Sequence, residues 1–587
     1  MCGIFGIIEK TGKEIDSTEM QIMHKAQFHR GPDHFGYLKN ENIFLGNNRL
    51  SIIDLSNGNQ PFYSADGNIA VLQNGEIFNY LELKEELVRD GVEFRTNSDT
   101  EVILKLYERF GMQMVNRLNG MFSIVILDKK KQQLFLIRDR FGLKPLFYHK
   151  GNEKFSFSSE IKSILELGVD TGLNIEAMFS FLRYNFVAGK ESIFKNIFNV
   201  SPGHYLKLDT VSGELNEVKW WDQEKELDRF SSLLTSKNAI ELTRETIFDA
   251  IKIRMRSDVE YSAFLSGGID SSIIVSQMNK ITDEKFNTFT IGFEGSKFDE
   301  SEFANSVASQ LNVNHRCESF STNILDYWDK VLYHTEQPHG DVSFIPLFLL
   351  SRFASEKDRV VLTGDGADEI FGGYEKYLEY DNSKDFKELY TTQSTLFSDN
   401  EILDLYQNGS VLPEGSIAKI IESDPMFKSD IIKGSRNKAM YMDTVFLLPY
   451  NNLIKPDRMG MAHSIELRTP FMDYRVVSLA LAINSSYKLK GEITKSILRE
   501  TFKSGIPDKV YQRKKQKFIV PLDENRKNIE LFYSSFKNSD LYKLGIYSDK
   551  FLKKLYLDHL NGKKNNYRKL RAIGAISNWY EIYKQYL

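Results

Sequence analysis

A chain of 587 residues is longer than one hydrophobic core usually organises, so two or more domains are expected. Its 41% apolar and 27% charged residues are those of an ordinary globular protein, and a net charge of −4 with no aromatic-interleaved Lys/Arg run speaks against a nucleic-acid partner. Two cysteines, Cys2 and Cys317, exclude a disulfide framework and fit a reducing compartment. The opening MCGIFGIIEK has neither the basic leader nor the long apolar stretch of a secretory signal. No window approaches the ~18 consecutive apolar residues of a membrane span, so no membrane partner and a cytoplasmic location are expected.

In chain order, IFGII (4–8), NIAVLQNGE (68–76), FSIVILD (122–128) and LFLIRD (134–139) are short apolar or alternating runs between turns, which predicts strands. Residues 81–90 and 99–109 predict helices, the second with Val102, Leu104, Leu106 and Tyr107 on its apolar side. This β-rich region closes with PGHYLKL, and the polar stretch around Trp220, Trp221 and DQEKELDR predicts a linker. The expected division is residues 1–210, a linker over 211–236, and 237–587. Beyond the linker the pattern turns to strand-then-helix units. A helix with Ile247, Ile251 and Met255 on one face leads to a strand at YSAFL (261–265), followed by NTFTIGF (287–293) and RVVLTG (359–364). That alternation predicts a doubly wound parallel sheet. FIPLFLL (344–350) reads as buried core, and the last ~150 residues read as mostly helical without repeats.

Cys2 directly follows the initiator Met, and small residues there usually permit its removal. The mature chain then carries a thiol and a free α-amine on one residue. That amine, with an ordinary pKa of about 7.7–8.0, is partly neutral at physiological pH and can take the thiol proton. Hydrolysis of a carboxamide through a thioester also needs an oxyanion hole and a clamp for the amino-acid end of the substrate. Asn74 and Gly75 in NGE can point an amide and a backbone N–H at an oxyanion, Arg49 in RLSIID can fork an α-carboxylate, and Asp99 in SDTE can hold an α-ammonium. Plainer readings stand beside these: a hairpin turn at Asn74-Gly75, a surface ion pair for Arg49 and a helix N-cap for Asp99.

MCGIFGI, HRGPD (29–33), RLSIID, NGEIFNY (74–80), FRTNSDTE (94–101) and RDRFGLKPLFY (138–148) follow one another in an order that resembles the class II glutamine amidotransferases. The resemblance implies an αββα N-terminal-nucleophile glutaminase fold for the first domain. It implies that Cys2 attacks the glutamine amide, that Asn74 and Gly75 form the oxyanion hole, and that Arg49, Leu50, Ile53, Glu76 and Asp99 complete the glutamine site. His29 and Arg30 of HRGPD, and the RDRFG segment, read as scaffold and domain-interface elements.

SGGIDSS (266–272) sits between the strand YSAFL and an apolar helix start. Its glycines let the backbone approach an anion, and its serines and the helix N–H groups supply donors. Asp270 among phosphate ligands implies an intervening cation, for which Mg²⁺ is the obvious choice. The plain alternative is a Gly-Gly turn with an Asp cap. No GxxxxGK[ST] occurs, which excludes a P-loop kinase or ATPase. A second acidic cluster, TGDGADEIFGGY (363–374), follows a strand and should face the same crevice, bringing Asp365, Asp368 and Glu369 towards Asp270. A solvated turn is the alternative for DGADE.

These two loops, with IKPDRMGMAHSIELRTPFMD (454–473), GEITKSILRE (491–500) and RKKQKF (513–518), resemble the adenylating synthetase domain of the asparagine synthetases and their β-lactam-forming relatives. The resemblance implies that ATP is bound by Leu265, Ser266, Gly267, Gly268, Asp270, Ser271, Ser272, Ile291, Thr363 and Gly364. It implies that Asp270 and Asp368 hold Mg²⁺ and that Lys495 stabilises charge on the adenylate and pyrophosphate. Asp365 falls at an acidic catalytic position where many members carry Glu, which leaves its reach in question. Without the resemblance Lys495 reads as a solvated helical lysine and RKKQKF as charged surface; His463 reads as structural.

The expected activity is ATP-dependent synthesis of asparagine from aspartate with ammonia from glutamine, through β-aspartyl-AMP. The small-molecule partners are then glutamine, aspartate and ATP, and a homodimer is allowed. The alternative keeps the mechanism and amidates another acid, such as a sugar acid of a surface polysaccharide or an acid of secondary metabolism. Amidotransferases making phosphoribosylamine or glucosamine phosphate lack an adenylating loop, and a non-catalytic binding protein would not need Cys2, Asn74, Asp270 and Asp368.

Overall fold

The computed structural model describes residues 2–587 except 236, 294–298, 321–323, 382–384, 407–411, 413–414, 430 and 514–525. Lys514 to Phe518 of RKKQKF lie outside the described residues.

Two six-stranded antiparallel sheets form the N-terminal half. The first runs in the order β10 (Ile197–Asn199), β8 (Phe147–Lys150), β9 (Lys154–Ser158), β1 (Cys2–Glu9), β3 (Ile43–Arg49), β2 (His34–Lys39). The second runs β12 (Leu215–Lys219), β11 (His204–Asp209), β7 (Gln133–Arg138), β6 (Gly120–Asp128), β5 (Ile69–Ile77), β4 (Phe62–Tyr63). Alternation explains the stacking. Ile4, Ile8 and Leu45 of the first sheet meet Leu72, Val125, Leu127 and Leu136 of the second in one core. The opposite faces are also apolar: Phe5, Ile7 and Phe44 cover Met20 and Met23 of the helix Ser17–Ala26. Ile124, Ile126 and Ile137 pack with Leu83, Leu87, Val102 and Leu106 of the helices Tyr80–Arg89 and Asp99–Phe110. The outcome is an αββα sandwich whose central strands β1, β5, β6 and β7 are buried on both sides, which is why they read as apolar runs rather than clean alternation.

The expected linker over 211–236 is largely ordered structure. β12 pairs with β11 and completes the second sheet, and the helix Gln223–Leu233 buries Leu227 and Phe230. Its Gln223 Nε2 donates to Ser478 Oγ at 3.0 Å on the helix Tyr474–Ala482. The charges that suggested a linker are the solvent face of an amphipathic helix with apolar residues at i, i+3.

The C-terminal half carries a five-stranded, wholly parallel sheet in the order β15 (Asn314–Phe320), β14 (Asn287–Phe293), β13 (Tyr261–Phe264), β16 (Val360–Leu362), β17 (Glu466–Arg468). Successive connections run outward from β13 to β15 and then return to the other side of β13. β13 and β16 therefore flank the topological switch point, where open α/β sheets bind ligands beyond their carboxyl ends. FIPLFLL opens the helix Phe344–Ser355, buried throughout its first seven residues, and the last helix, Tyr567–Tyr583, packs into the same core through Ile573, Ile576 and Trp579. Within this parallel sheet two strands, β15 and β17, lie where the sequence reading assigns none. β15 is a polar edge strand and β17 only three residues long, so neither carries a hydrophobic period.

Candidate active site

Cys2 begins β1 and is 5% exposed. Its backbone N donates to Asn74 Oδ1 at 3.1 Å, and its carbonyl accepts from Arg30 Nε at 3.1 Å, so both ends of the residue are fixed. Asn74 Nδ2 in turn donates to Ser159 Oγ at 3.3 Å. Asn74 and Gly75 are not a hairpin turn: they lie inside β5, opposite Ser123 and Phe122 of β6. Gly75 adopts φ +138°, and a Cβ there would stand 1.9 Å from the Met121 carbonyl oxygen, so only glycine lets the two strands close at this point.

Glu76 and Asp99 face the same enclosed space. Asp99 is not the helix cap, since Ser98 Oγ takes that role by accepting from Thr100 N at 3.2 Å. Asp99 Oδ2 instead accepts from Ile77 N at 2.9 Å and Gln73 Nε2 at 3.0 Å. Burial, then the Asp99 charge, push the Glu76 carboxyl well above the usual carboxylate range, and burial raises Asp99 as well. Glu76 Oε2 is buried without a hydrogen-bond partner among the described residues. Two penalised carboxylates and an open acceptor are complementary to an ammonium group.

Arg49 differs from its expected role. Its Nη1 donates to Leu55 O (3.3 Å) and Asn59 Oδ1 (2.8 Å), and its Nη2 to Ile53 O (2.9 Å) and Asp54 O (2.8 Å). All four Nη protons are committed, so in this state Arg49 holds the 53–59 loop and presents no free fork. It is not a surface ion pair either, being 3% exposed. Leu50 and Ile53 are buried beside it.

At the switch point, a cavity of about 740 Å³ gathers Leu265, Ser266, Gly268, Asp270, Ser271, Ile291, Thr363, Gly364, Asp365, Asp368 and Lys495. The loop after β13 is braced internally: Ser271 Oγ donates to Gly268 O at 3.2 Å, and Ser272 Oγ to the same oxygen at 2.7 Å. Ser272 is fully buried and Gly267 faces the other way, where a Cβ would lie 2.5 Å from that of Phe303. The structure thus does not bring Gly267 and Ser272 to the cavity wall; they shape the loop that reaches it.

Lys495 is not a solvated lysine. It is 1% exposed, adopts φ +53°, and its Nζ lies 2.6 Å from Asp270 Oδ2 and 2.6 Å from Asp368 Oδ1. A Cβ on Gly373 would stand 1.8 Å from Asp368 Oδ1 and 2.4 Å from Lys495 Cε, so that glycine makes room for the cluster. Two carboxylates converging on a cation from the first βα loop and its neighbour form an all-oxygen donor pair of the kind Mg²⁺ takes together with nucleotide phosphates. Among the described residues no three His, Cys, Asp or Glu side chains form a metal cage. Asp365 Oδ2 accepts from Thr363 Oγ1 at 2.7 Å, which anchors this short carboxylate at the strand end.

The family comparisons agree with this geometry. An asparagine synthase family model matches residues 242–581, and a glutamine amidotransferase domain model matches residues 1–221. The chain belongs to the asparagine synthase family. A Bacillus subtilis asparagine synthetase (glutamine-hydrolyzing) 1 is 31% identical, with 99% of this chain and 97% of that protein covered. A putative Methanocaldococcus jannaschii asparagine synthetase (glutamine-hydrolyzing) 2 is 40% identical over 64% of this chain and 76% of its own length. A Gibberella zeae protein named as an amidase is 29% identical over 89% of both chains. This asparagine synthase family member is a glutamine-dependent ligase that performs glutamine-dependent amidation.

Buried charges join its two halves. Arg30, fully buried, forks Asp457 with contacts of 2.9 and 3.1 Å and reaches Glu160 at 3.1 Å. Arg458 reaches back to Glu160 at 3.2 Å and to Glu336 at 2.8 Å, and Lys144 lies 3.5 Å from Asp457. Desolvation makes such a network a poor source of net stability, but it fixes one docking geometry, because a misplaced partner leaves a bare buried charge. Arg30 thus ties the Cys2 carbonyl to the second domain.

One feature of this region escapes a reading of the sequence, and the structure gives another its partners. Arg468, at the end of β17, places Nη2 4.0 Å from Glu76 Oε1, and its carbonyl accepts from Thr363 N at 2.8 Å. One residue therefore touches both the enclosed space beside Glu76 and the loop that follows β16; only the quoted run ELRTPFMD hinted at it. Glu369, expected near Asp270, lines the cavity at the switch point, and its Oε1 accepts from Tyr374 OH at 2.7 Å and Asn452 Nδ2 at 2.6 Å. Asn452 ends a ten-residue π-helical stretch, Asp443–Asn452, a geometry common at functional sites.

Burial, then the neighbouring Asp368 charge, push Glu369 from 4.5 up to about 7. The folded protein then holds a proton that the unfolded chain has lost, so between pH 4.5 and about 7 this group lowers stability as pH rises, and above about 7 the whole penalty is present. Glu369→Gln keeps an oxygen for both donors and removes the penalty. It is expected to stabilise the ligand-free protein by on the order of 2 kcal/mol at alkaline pH and by little in mildly acidic buffer. Thermal unfolding of both proteins at the two pH values measures this, and equal shifts would refute it.

Proposed function

We propose that this protein makes asparagine from aspartate, ATP and glutamine through an aspartyl adenylate. The observation that carries the reading is the meeting of SGGIDSS and TGDGADE at the switch point, with Lys495 between Asp270 and Asp368. After removal of Met1 the α-amine of Cys2 takes the thiol proton, and the thiolate attacks the glutamine amide. Asn74 and the Gly75 N–H receive the oxyanion, Glu76 and Asp99 hold the α-ammonium, and ammonia leaves as the γ-glutamyl thioester forms.

In the second site, Ser266, Gly268 and Ser271 cradle the phosphates while Leu265, Ile291, Thr363 and Gly364 seat the nucleoside. Asp270 and Asp368 would hold Mg²⁺, which when bound neutralises phosphate charge. Lys495 then stabilises the charge that develops as the aspartate β-carboxylate displaces pyrophosphate. Ammonia displaces AMP from the adenylate. Asp365, which lines the same cavity, takes the proton that ammonia loses. The contact of Arg468 with both Glu76 and the Thr363 loop supports coupling of the two reactions.

A second reading keeps this chemistry and changes the acid, and the amidase name of the Gibberella zeae relative favours testing it. Steady-state assays with ATP, glutamine and a panel of acids decide between them. We expect AMP, pyrophosphate and asparagine in equal amounts with aspartate. An aspartate-inert protein that amidates another acid would replace this reading with the second.

A further inference from the structure

The Asn74 amide is fully buried inside β5 and is held at both ends: Oδ1 accepts from Cys2 N at 3.1 Å, and Nδ2 donates to Ser159 Oγ at 3.3 Å. Ser159 is itself fully buried, in the short turn between β9 and the helix Ile161–Leu165. Its backbone N donates to Ile4 O at 2.8 Å, which extends the β1–β9 ladder by one bond. The return bond breaks the pattern. Ile4 N donates at 3.1 Å to the Ser159 hydroxyl oxygen rather than to a backbone carbonyl. That oxygen therefore accepts two N–H groups, from Ile4 and from Asn74, and both of its lone pairs are used.

The turn that presents Ser159 is gripped from outside its own domain. Glu336 Oε2 accepts from Ile161 N and Oε1 from Lys162 N, each at 2.9 Å, so a carboxylate of the second domain caps the helix that follows. Arg30 Nη1 donates to Glu160 Oε1 at 3.1 Å while its Nε holds the Cys2 carbonyl. Cys2, Asn74, the Ser159–Glu160 pair and Arg30 thus close a ring with the thiol-bearing residue at one corner. An amide nitrogen carries two protons. With Oδ1 on the Cys2 nitrogen and one Nδ2 proton on Ser159, the amide plane is fixed and the second proton is left to donate.

We infer that Ser159 is a positioning residue for glutamine hydrolysis: its hydroxyl oxygen orients the Asn74 amide so that the second Nδ2 proton meets the oxyanion. This rests on the reading of Cys2 and Asn74 as the glutaminase centre. Ser159 does not touch the substrate, and the interaction it prepares is made only once charge develops on the amide oxygen. Its loss should therefore be read in kcat and not in the KM of glutamine.

The test uses the full-length protein without Met1 and follows glutamate release from glutamine. Ser159→Ala is expected to lower kcat by about 30-fold, less than the ~10²–10³-fold of deleting an oxyanion donor, with the KM of glutamine changed by less than about twofold. Ser159→Thr keeps the hydroxyl oxygen and should recover most of the rate. Glutamate γ-semialdehyde gives a second readout. The Cys2 sulfur bonds its aldehyde carbon, the thiol proton passes to the α-amine, and the former carbonyl oxygen takes the oxyanion position. In Ser159→Ala its affinity should fall by about the same 30-fold, while that of glutamate, which forms no adduct, should not move. Ammonia-driven pyrophosphate release and the unfolding temperature check the fold of each variant.

An unaltered kcat in Ser159→Ala, a loss carried wholly by the KM of glutamine, or an equal loss of affinity for semialdehyde and glutamate overturns the inference. So does a folded Ser159→Thr protein as slow as Ser159→Ala. If the unsubstituted protein releases no glutamate from glutamine, the glutaminase reading itself falls, and the role of Ser159 falls with it.

Discussion

Cys2→Ala is expected to abolish glutamine-driven synthesis, by about 10³-fold or more, while ammonia-driven synthesis continues at close to the original rate. The reason is spatial. Cys2 is tied to Asn74 and Arg30 within the N-terminal sandwich, whereas the cavity that would hold the nucleotide is lined entirely by residues from Phe264 onward. Removing one buried sulfur leaves a small void and costs stability modestly, about 1 kcal/mol. The measurement is pyrophosphate release with glutamine and with ammonium salt, side by side. Equal loss of both activities would show that the two chemistries are not separable. Active protein that retains Met1 would remove the amine on which the thiol's activation depends.

Lys495→Met is expected to have the opposite signature, lowering acid-dependent pyrophosphate release by about 10³-fold with either nitrogen source. Glutamine hydrolysis at Cys2 should survive. In the structure the Lys495 ammonium lies between Asp270 and Asp368 at 2.6 Å from each. Without it two carboxylates face each other in a confined site, and one of them takes up a proton. That weakens both the nucleotide site and the charge stabilisation of the departing pyrophosphate. Arginine is not expected to substitute, because a planar guanidinium fork does not place one compact charge between two carboxylates as an ammonium does. A Lys495→Met protein that still releases pyrophosphate at the original rate would return Lys495 to a purely structural role.

Much of the fold was legible because it rests on local signals. β1, β5, β6 and β7 declare themselves as short apolar runs, and the helix Ala239–Arg254 as an i, i+4, i+8 series through Ile247 and Ile251. The parallel sheet followed from strand-then-helix alternation, and its order placed the motifs that begin at Ser266 and Thr363 after adjacent strands, β13 and β16. β15 and β17 were not legible, since an edge strand with polar residues and a three-residue strand have no period to detect. Charge misled at Gln223–Leu233, where a solvent-facing helix resembles a linker in composition.

Residue identity alone determined the chemistry on offer: a thiol next to an α-amine, a glycine-serine phosphate loop, and acidic residues that call for a cation. Those depend on functional groups and on short spacings, which survive in one dimension. Tertiary structure decided which of these groups are engaged and which are waiting. It committed the Arg49 donors to the 53–59 loop, left Glu76 Oε2 without a partner among the described residues, buried Lys495 between two aspartates, and brought Arg571 from the helix Tyr567–Tyr583 to the wall of the cavity. The physical reason is that desolvation and unmet charge arise only where distant segments enclose a space together, and no local pattern records which segments those will be.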